Sequence, residues 1–317
     1  MDLGVTLPTS GPHASPAAIV RLASEAEQLG YSAAWTYERL LYPLGDIAQP
    51  GGPPRPLPDH YRTTYDPLET LAFVAAKTTV IKLGSSVLVA LFHVPVALAR
   101  RLATLDQFSG GRVIAGLGQG WIKPEFAAAN VPVKRRGAGF EEFIAAMRAA
   151  WGKDPVAFDG RFYHIPPSEI NPKPTQAGGI PIVVGAFAPA AVDRAAKVAD
   201  GLNPIAVSLP MLAGTVSRFR DAASAAGRNA QSLKIIVRAN TPITDTDIGC
   251  QRPFLGGSPR QIASDLLEVE RLNIDHVMFT NLLQPPISEQ VQLLGRLMEE
   301  ASKTVHGPLQ ATATSLR

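Results

Sequence analysis

The sequence predicts an α/β fold, a (β/α)8 TIM barrel with loop insertions, on three observations. Short apolar runs alternate with helical patterns along the whole chain, the arrangement of βα units around a parallel sheet. Eight such units can be counted. The length of 317 residues would hold two ordinary domains, but it also suits one barrel, which takes about 250 residues before insertions.

Strands are expected at residues 3–7, 34–37, 81–89, 113–118, 182–185, 202–207, 233–239 and 276–280. Helices are expected at 15–29, 67–77, 95–108, 140–151, 189–199, 210–226, 259–272 and 288–305. In the first helix Ser15 is placed to N-cap, Pro16 fits the first turn, and Ile19, Leu22, Ala23 and Ala26 repeat at helical spacing before Gly30 stops it. Several later helices also open at a proline.

Three segments break the alternation. Residues 40–64 hold Pro43, Pro50, Pro53, Pro54, Pro56 and Pro58, too many for a helix or a central strand. They read as a lid or subunit contact, or as a plain surface excursion. Residues 119–139 follow the fourth strand, and 155–180 hold a small hairpin, 156–158 with 162–165, before a proline-rich connection. One domain over 1–306 is expected, with a flexible small and polar tail at 307–317.

Composition narrows the function. Hydrophobic residues at 46% and charged residues at 18% supply a large core and no signature of disorder. The net charge is +3 and the 30 Lys and Arg are scattered, which speaks against a nucleic-acid stripe. Cys250 is the lone cysteine, so no internal disulfide or cysteine metal cluster can form. The chain opens on the alternating Leu3, Val5 and Leu7 instead of a secretory signal, and no run approaches the roughly 18 apolar residues of a membrane span. A cytoplasmic protein with a small-molecule substrate and no membrane or nucleic-acid partner is expected.

Gly116, Gly118 and Gly120 close the fourth strand, where a backbone without Cβ atoms lets a flat or charged ligand approach. A Rossmann fingerprint would have to lie in the first βα turn, which reads Pro8-Thr9-Ser10-Gly11-Pro12, so that fold is rejected. Gly185-Ala186-Phe187-Ala188, followed by Pro189 and a helix, is either an anion cradle of free backbone N–H groups or an ordinary strand-to-helix turn. Glu38 and Arg39 close the second strand at the end where barrels display catalytic side chains, and either orient a polar ring or form a plain ion pair. The histidines show no metal-ligand spacing, and Ser109 lacks a nucleophile-elbow pattern. No metal site is expected.

Taken in order, these segments resemble the luciferase-like monooxygenase superfamily. The resemblance is most specific over residues 99–121, with Ala103-Thr104-Leu105-Asp106, Ser109-Gly110-Gly111-Arg112 and Gly116-Leu117-Gly118-Gln119-Gly120-Trp121. It implies a flavin or deazaflavin across the C-terminal mouth, its ring backed by a bulge in the third strand at Ser86-Val87, a non-prolyl cis peptide in many relatives. By the same matching, Gly185, Ala186, Phe187 and Ala188 cradle the cofactor phosphate with help from Arg136, Gly118, Gln119 and Gly120 line the ring side, and Trp121 stands near substrate.

Gly120-Trp121, Arg136-Gly137 and residues 158–163 resemble the deazaflavin branch, which implies a homodimeric oxidoreductase using coenzyme F420 for hydride transfer; FMN and a monooxygenase reaction are the alternative, and a non-catalytic cofactor binder a third reading. Relatives of that branch commonly carry an acid followed by His where this chain has Glu38-Arg39. A guanidinium does not pass protons near neutral pH, so Arg39 becomes an orienting group and the proton donor falls to Glu38, Tyr37 or water.

Overall fold

A strand in a closed parallel barrel is buried on both faces, so its alternation sorts residues between two interiors, not between core and water. The computed structural model, which describes residues 1–49 and 52–305, shows this from the first strand. In β1 (Asp2–Thr6) Leu3 and Val5 pack with Ile19, Leu22 and Ala23 of α1 (Pro16–Gln28). Gly4 between them faces the axis, where a Cβ would meet Trp35 at 2.7 Å.

β2 (Ala33–Thr36) is followed by a first insertion with the hairpin β3 (Ile47–Gln49) and β4 (Gly52–Arg55), then by α2 (Pro67–Ala75). The third barrel strand is split into β5 (Lys82–Ser85) and β6 (Leu88–Val89), and α3 (Pro95–Ser109) leads to β7 (Val113–Gly118). The second insertion carries α4 (Lys123–Ala128) and ends at α5 (Ala138–Trp151). A second hairpin, β8 (Val156–Asp159) with β9 (His164–Ser168), precedes β10 (Ile182–Gly185), α6 (Pro189–Val198), β11 (Gly201–Leu202) and α7 (Leu209–Ala225). β12 (Lys234–Thr241), α8 (Pro259–Arg271), β13 (His276–Asn281) and α9 (Ile287–Thr304) complete the chain. The strands run β10-β11-β12-β13-β1-β2-β5-β7, and β10 pairs back onto β7 to close the barrel, all in parallel.

The expected elements are present, with local departures that have physical causes. Ser15 caps α1 by accepting from Ala18 N at 3.1 Å, and Gly30 at φ +87 ends it. The sixth strand, expected over 202–207, shrinks to Gly201–Leu202 because Pro204 has no N–H for the ladder; only its carbonyl is used, by Arg238 N at 2.8 Å. The return arm of the second hairpin starts at His164 because the N–H groups of Phe162 and Tyr163 go to Glu142 Oε1, at 2.6 and 2.8 Å. In the proline-rich connection that follows, Asp154 Oδ1 holds the Lys173 ammonium at 2.7 Å. Pro50 and the tail 307–317 lie outside the described residues. None of the described helices is long and apolar enough to cross a membrane.

The lower barrel is filled by Trp35 with Ala33, Val183, Ile236 and Met278. Glycine at position 84 makes this possible, because a Cβ there would lie 2.3 Å from the indole. A cavity of about 660 Å³ opens below this layer, at the strand N-termini and away from the end where barrels place chemistry. Trp35 Nε1 donates to His276 Nε2 at 3.1 Å, so the imidazole is neutral with its proton on Nδ1, beside Ser32 Oγ. Burial, with Lys82 adding, pulls its pKa down from 6.5 to about 3.

Below pH 6.5 the unfolded chain therefore takes up a proton that the folded chain refuses until about pH 3. Stability is complete above that window and falls as pH falls through it, by at most about 1.4 kcal/mol per pH unit from this group. Urea unfolding across the window is expected to show a steeper decline for the wild type than for His276→Gln. Parallel slopes would mean that the imidazole is charged in the folded protein.

Candidate functional site

At the C-terminal mouth the ladder between the third and fourth barrel strands is interrupted. β5 pairs with β7 as Leu83 with Val113 and Gly84 with Ile114; β6 resumes as Leu88 with Leu117 and Val89 with Gly118. The third strand thus carries one extra residue, a bulge. It falls at Ser86-Val87, and the peptide between them is cis, as the resemblance leads one to expect.

The bulge is tied down on all sides. Ser85 Oγ replaces lost ladder bonds, donating to Gly116 O at 2.9 Å and accepting from Gly116 N at 3.0 Å. Ser86 N donates to Thr36 O at 2.7 Å and Ser86 Oγ to Asn203 Oδ1 at 2.6 Å. Arg238 Nη1 donates to the Ser86 carbonyl. Glu38 N donates to Val87 O at 3.2 Å, and the Glu38 carboxylate accepts from Val89 N at 2.5 Å. The Val87 side chain sits where Cβ atoms at Gly118 and Gly185 would be, 2.4 and 2.9 Å from its methyls. Two glycines expected to line the cofactor therefore serve first to seat Val87.

The three expected catalytic residues part company after β2. Glu38 turns toward the bulge, with its other oxygen 2.9 Å from His93 Nε2. Arg39 does not pair with the Glu38 carboxylate. Its guanidinium lies between the rings of Tyr61 and Trp121, 5.0 and 5.7 Å from their centroids, and 3.8 Å from Glu125. Glu125, on α4, is 1% exposed and accepts from Leu40 N at 2.9 Å; burial raises its pKa while Arg39 opposes the rise. Tyr37 faces the mouth, bonded through its hydroxyl to Ser10 Oγ and lying under the guanidinium of Arg238 at 5.4 Å. Burial pushes its phenol pKa up and Tyr61 adds to the rise, with Arg238 and Arg39 pulling the other way.

Arg238 donates Nε to Asn240 Oδ1 at 2.7 Å and pairs with no carboxylate among the described residues. Burial lowers its pKa, while the nearby phenols of Tyr61 and Tyr37 oppose the change. It is the main residue that sequence reasoning missed. Its signal was parity: Ile236, Arg238 and Asn240 share the face of β12 on which Ile236 meets the inner cluster, so a cation inside an apolar strand points to the barrel axis. Ser10, His93, Glu125 and Asn203 left no such local trace.

On the side where the resemblance would put a cofactor phosphate, Gln119 and Gly120 follow β7 half-buried, and exposed Arg136 donates to Gly120 O at 3.3 Å. Gly185 and Ala186 lead to Phe187, which is 60% exposed, and to Ala188, the N-cap of α6, which offers no side-chain cap. In the first turn of α6 Pro189 has no N–H and Ala191 N donates to Ala188 O at 2.8 Å, which leaves the Ala190 N–H to water or an anion. Gly137 abuts Arg194 of α6, and Arg135 and Arg161 both lie over the Phe162 ring, at 5.7 and 5.1 Å. Lys134, Arg135, Arg136 and Arg161 pair with no carboxylate among the described residues. No cluster suited to a metal ion occurs among them either.

Since Glu38 accepts from a buried N–H and from His93, Glu38→Ala is expected to destabilise the fold by about 1–3 kcal/mol in urea unfolding. An unchanged midpoint would remove it from the support of the bulge.

A family model described as luciferase-like monooxygenase matches residues 1–255. An uncharacterized protein of Mycobacterium tuberculosis is 38% identical over 188 residues, 59% of this chain and 65% of the relative. The FMNH(2)-dependent dimethylsulfone monooxygenase of Pseudomonas putida is 34% identical over 156 residues, 48% of this chain and 42% of that enzyme. The match thus spans less than two thirds of either relative's length. In fold the chain is similar to monooxygenase RslO1 of Streptomyces bottropensis, with a TM-score of 0.79 and 22% identity over 96% of this chain and 99% of that one. It is also similar to the coenzyme F420 dependent tetrahydromethanopterin reductase of Methanopyrus kandleri, with a TM-score of 0.73 and 19% identity over 93% and 97%. Deazaflavin and reduced-flavin proteins thus both stand among its neighbours. The chain belongs to the luciferase-like monooxygenase family.

Proposed function

We propose that the protein is an oxidoreductase that moves a hydride between coenzyme F420 and a small organic substrate, working as a cytoplasmic homodimer. The observation that carries the choice of cofactor is a group of four cations without acid partners among the described residues: Lys134, Arg135 and Arg136 in one run next to Gly137, which abuts Arg194 of α6, and Arg161, which shares the Phe162 ring with Arg135. Flavin mononucleotide ends in one phosphate, which the helix end and Arg136 would satisfy. Coenzyme F420 continues from its phosphate into a chain of carboxylates, and the remaining three cations suit that excess of charge.

The residues of the mouth fit a flat ring as well. Val87, seated over Gly118 and Gly185, offers an apolar backing, and Gln119 and Gly120 edge it. When bound, the deazaflavin supplies a two-electron hydride centre that reacts poorly with oxygen. The protein's own part is to bind, orient and neutralise. Arg238 and Arg39 bring positive charge to a mouth whose carboxylates, Glu38 and Glu125, are turned to backbone N–H groups. Tyr37 holds a proton at its hydroxyl, and the two insertions, with Trp121 at their edge, exclude water from the substrate. A reduced-flavin monooxygenase is the second reading, favoured by the 34% identity to the dimethylsulfone enzyme.

Separate fluorescence titrations with oxidised coenzyme F420 and with flavin mononucleotide test the choice. Saturable binding of the deazaflavin alone is expected, and Arg135→Glu combined with Arg161→Glu should weaken it by about tenfold or more, in a salt-dependent manner. Tighter binding of flavin mononucleotide, unaffected by those charge reversals, would overturn it in favour of the monooxygenase.

A further inference from the structure

Hydride transfer leaves a proton to be delivered or removed, and the two carboxylates described at the mouth are already engaged. Glu38 is engaged by Val89 N and His93, Glu125 by Leu40 N and Arg39, and neither guanidinium exchanges protons at neutral pH. Tyr37 is the hydroxyl in position, but it is buried at 8% exposure, so its proton must come from somewhere behind it.

Behind it lies Ser10, itself buried, whose hydroxyl is bonded to the Tyr37 hydroxyl. Both side chains border a separate cavity of about 70 Å³ between the ends of β1 and β13 and the start of α9. Its wall is mixed: Leu7, Leu22 and Ile287 make it partly apolar, and hydrogen-bonding groups come from Thr6 and Thr280, whose hydroxyls meet at 2.7 Å, with Asn281, Gln284 and Gln290. Its outer edge reaches His13, which is exposed to solvent. A cavity of this size has room for a short chain of waters, each needing about 10–15 Å³ and two to four polar partners, which Ser10, Thr6, Thr280, Asn281, Gln284 and Gln290 can offer.

We propose that Tyr37, Ser10 and this cavity form a proton conduit from the barrel mouth to solvent beside His13. The proposal rests on the hydride-transfer reading above. In the reducing direction, addition of a hydride from the reduced deazaflavin to an unsaturated substrate leaves one negative charge on the substrate. The Tyr37 O–H bond breaks and its proton quenches that charge; Ser10 passes its own proton to the Tyr37 oxygen; a cavity water restores Ser10, and solvent restores the water. The oxidising direction runs the same transfers backwards and discharges one proton per hydride removed. Ser10 thus acts as a relay that need not touch the substrate.

Two measurements on the full chain without coenzyme test the conduit apart from the function. A high-resolution crystal structure is expected to show ordered waters linking Ser10 Oγ to the solvent at His13. A rapid pH jump, followed by tyrosinate absorbance with Tyr37→Phe as the blank, is expected to show Tyr37 ionising about tenfold or more slower in Ser10→Ala than in wild type, with Ser10→Thr restoring the rate. A dry cavity, or equal ionisation rates in Ser10→Ala and wild type, overturns the proposal. Slowing in Ser10→Ala that Ser10→Thr does not restore also overturns it, as the mark of a merely structural serine. Failure of the coenzyme titrations with both expected results here would sink the function and leave the conduit.

Discussion

One extra residue in the third barrel strand sets the shape of the mouth. A closed barrel has no free edge to absorb an insertion, so the polar groups displaced at residues 85–87 must be met by side chains. Ser85 mends the ladder to β7, Asn203 just after β11 and Arg238 on β12 reach across, and Glu38 comes from the segment that follows β2. The two charged groups flank the bulge from opposite sides, a carboxylate on the Val89 N–H and a guanidinium on the Ser86 carbonyl. Hydrogen bonds to charged groups contribute about 1.5–3 kcal/mol each, and a network of this kind is worth most when complete.

That constraint also explains the electrostatics. With Glu38 and Glu125 committed to backbone N–H groups, what remains facing the opening is two guanidiniums and two phenols. A cation enclosed without a carboxylate is costly, and the cost is offset when a ligand brings negative charge. That cost falls on Arg238, which pairs with no carboxylate among the described residues, whereas Arg39 has Glu125 beside it at 3.8 Å.

Periodicity carried most of the fold because each barrel strand packs on its own neighbouring helices. Leu3 and Val5 against Ile19 and Leu22 is such a local arrangement, as is Ser15 capping the helix it precedes. The site was legible where backbone demands glycine, at Gly118 and Gly185, and where the family pattern marks the bulge. It was not legible where the partner lies far along the chain. Leu40 N finds Glu125 85 residues on, and Ser86 finds Asn203 117 residues on. No spacing rule announces such pairs, since they depend on which loops the closed barrel brings together. For the same reason, adjacency in sequence suggested an ion pair between Glu38 and Arg39 that the opposite orientations of consecutive strand-end residues prevent.

The interlocking of the two insertions bears on how new substrate ranges arise in such a barrel. Ile47 and Leu57 of the first insertion bury themselves against Ile122 of the second, while Arg39 is held between Tyr61 of one and Trp121 of the other. Transplanting either loop alone from a relative would expose that small core and take from Arg39 one of the two rings beside it. An exchange that keeps this end of the barrel packed therefore has to carry both loops, although the second and third helices of the barrel lie between them in the chain.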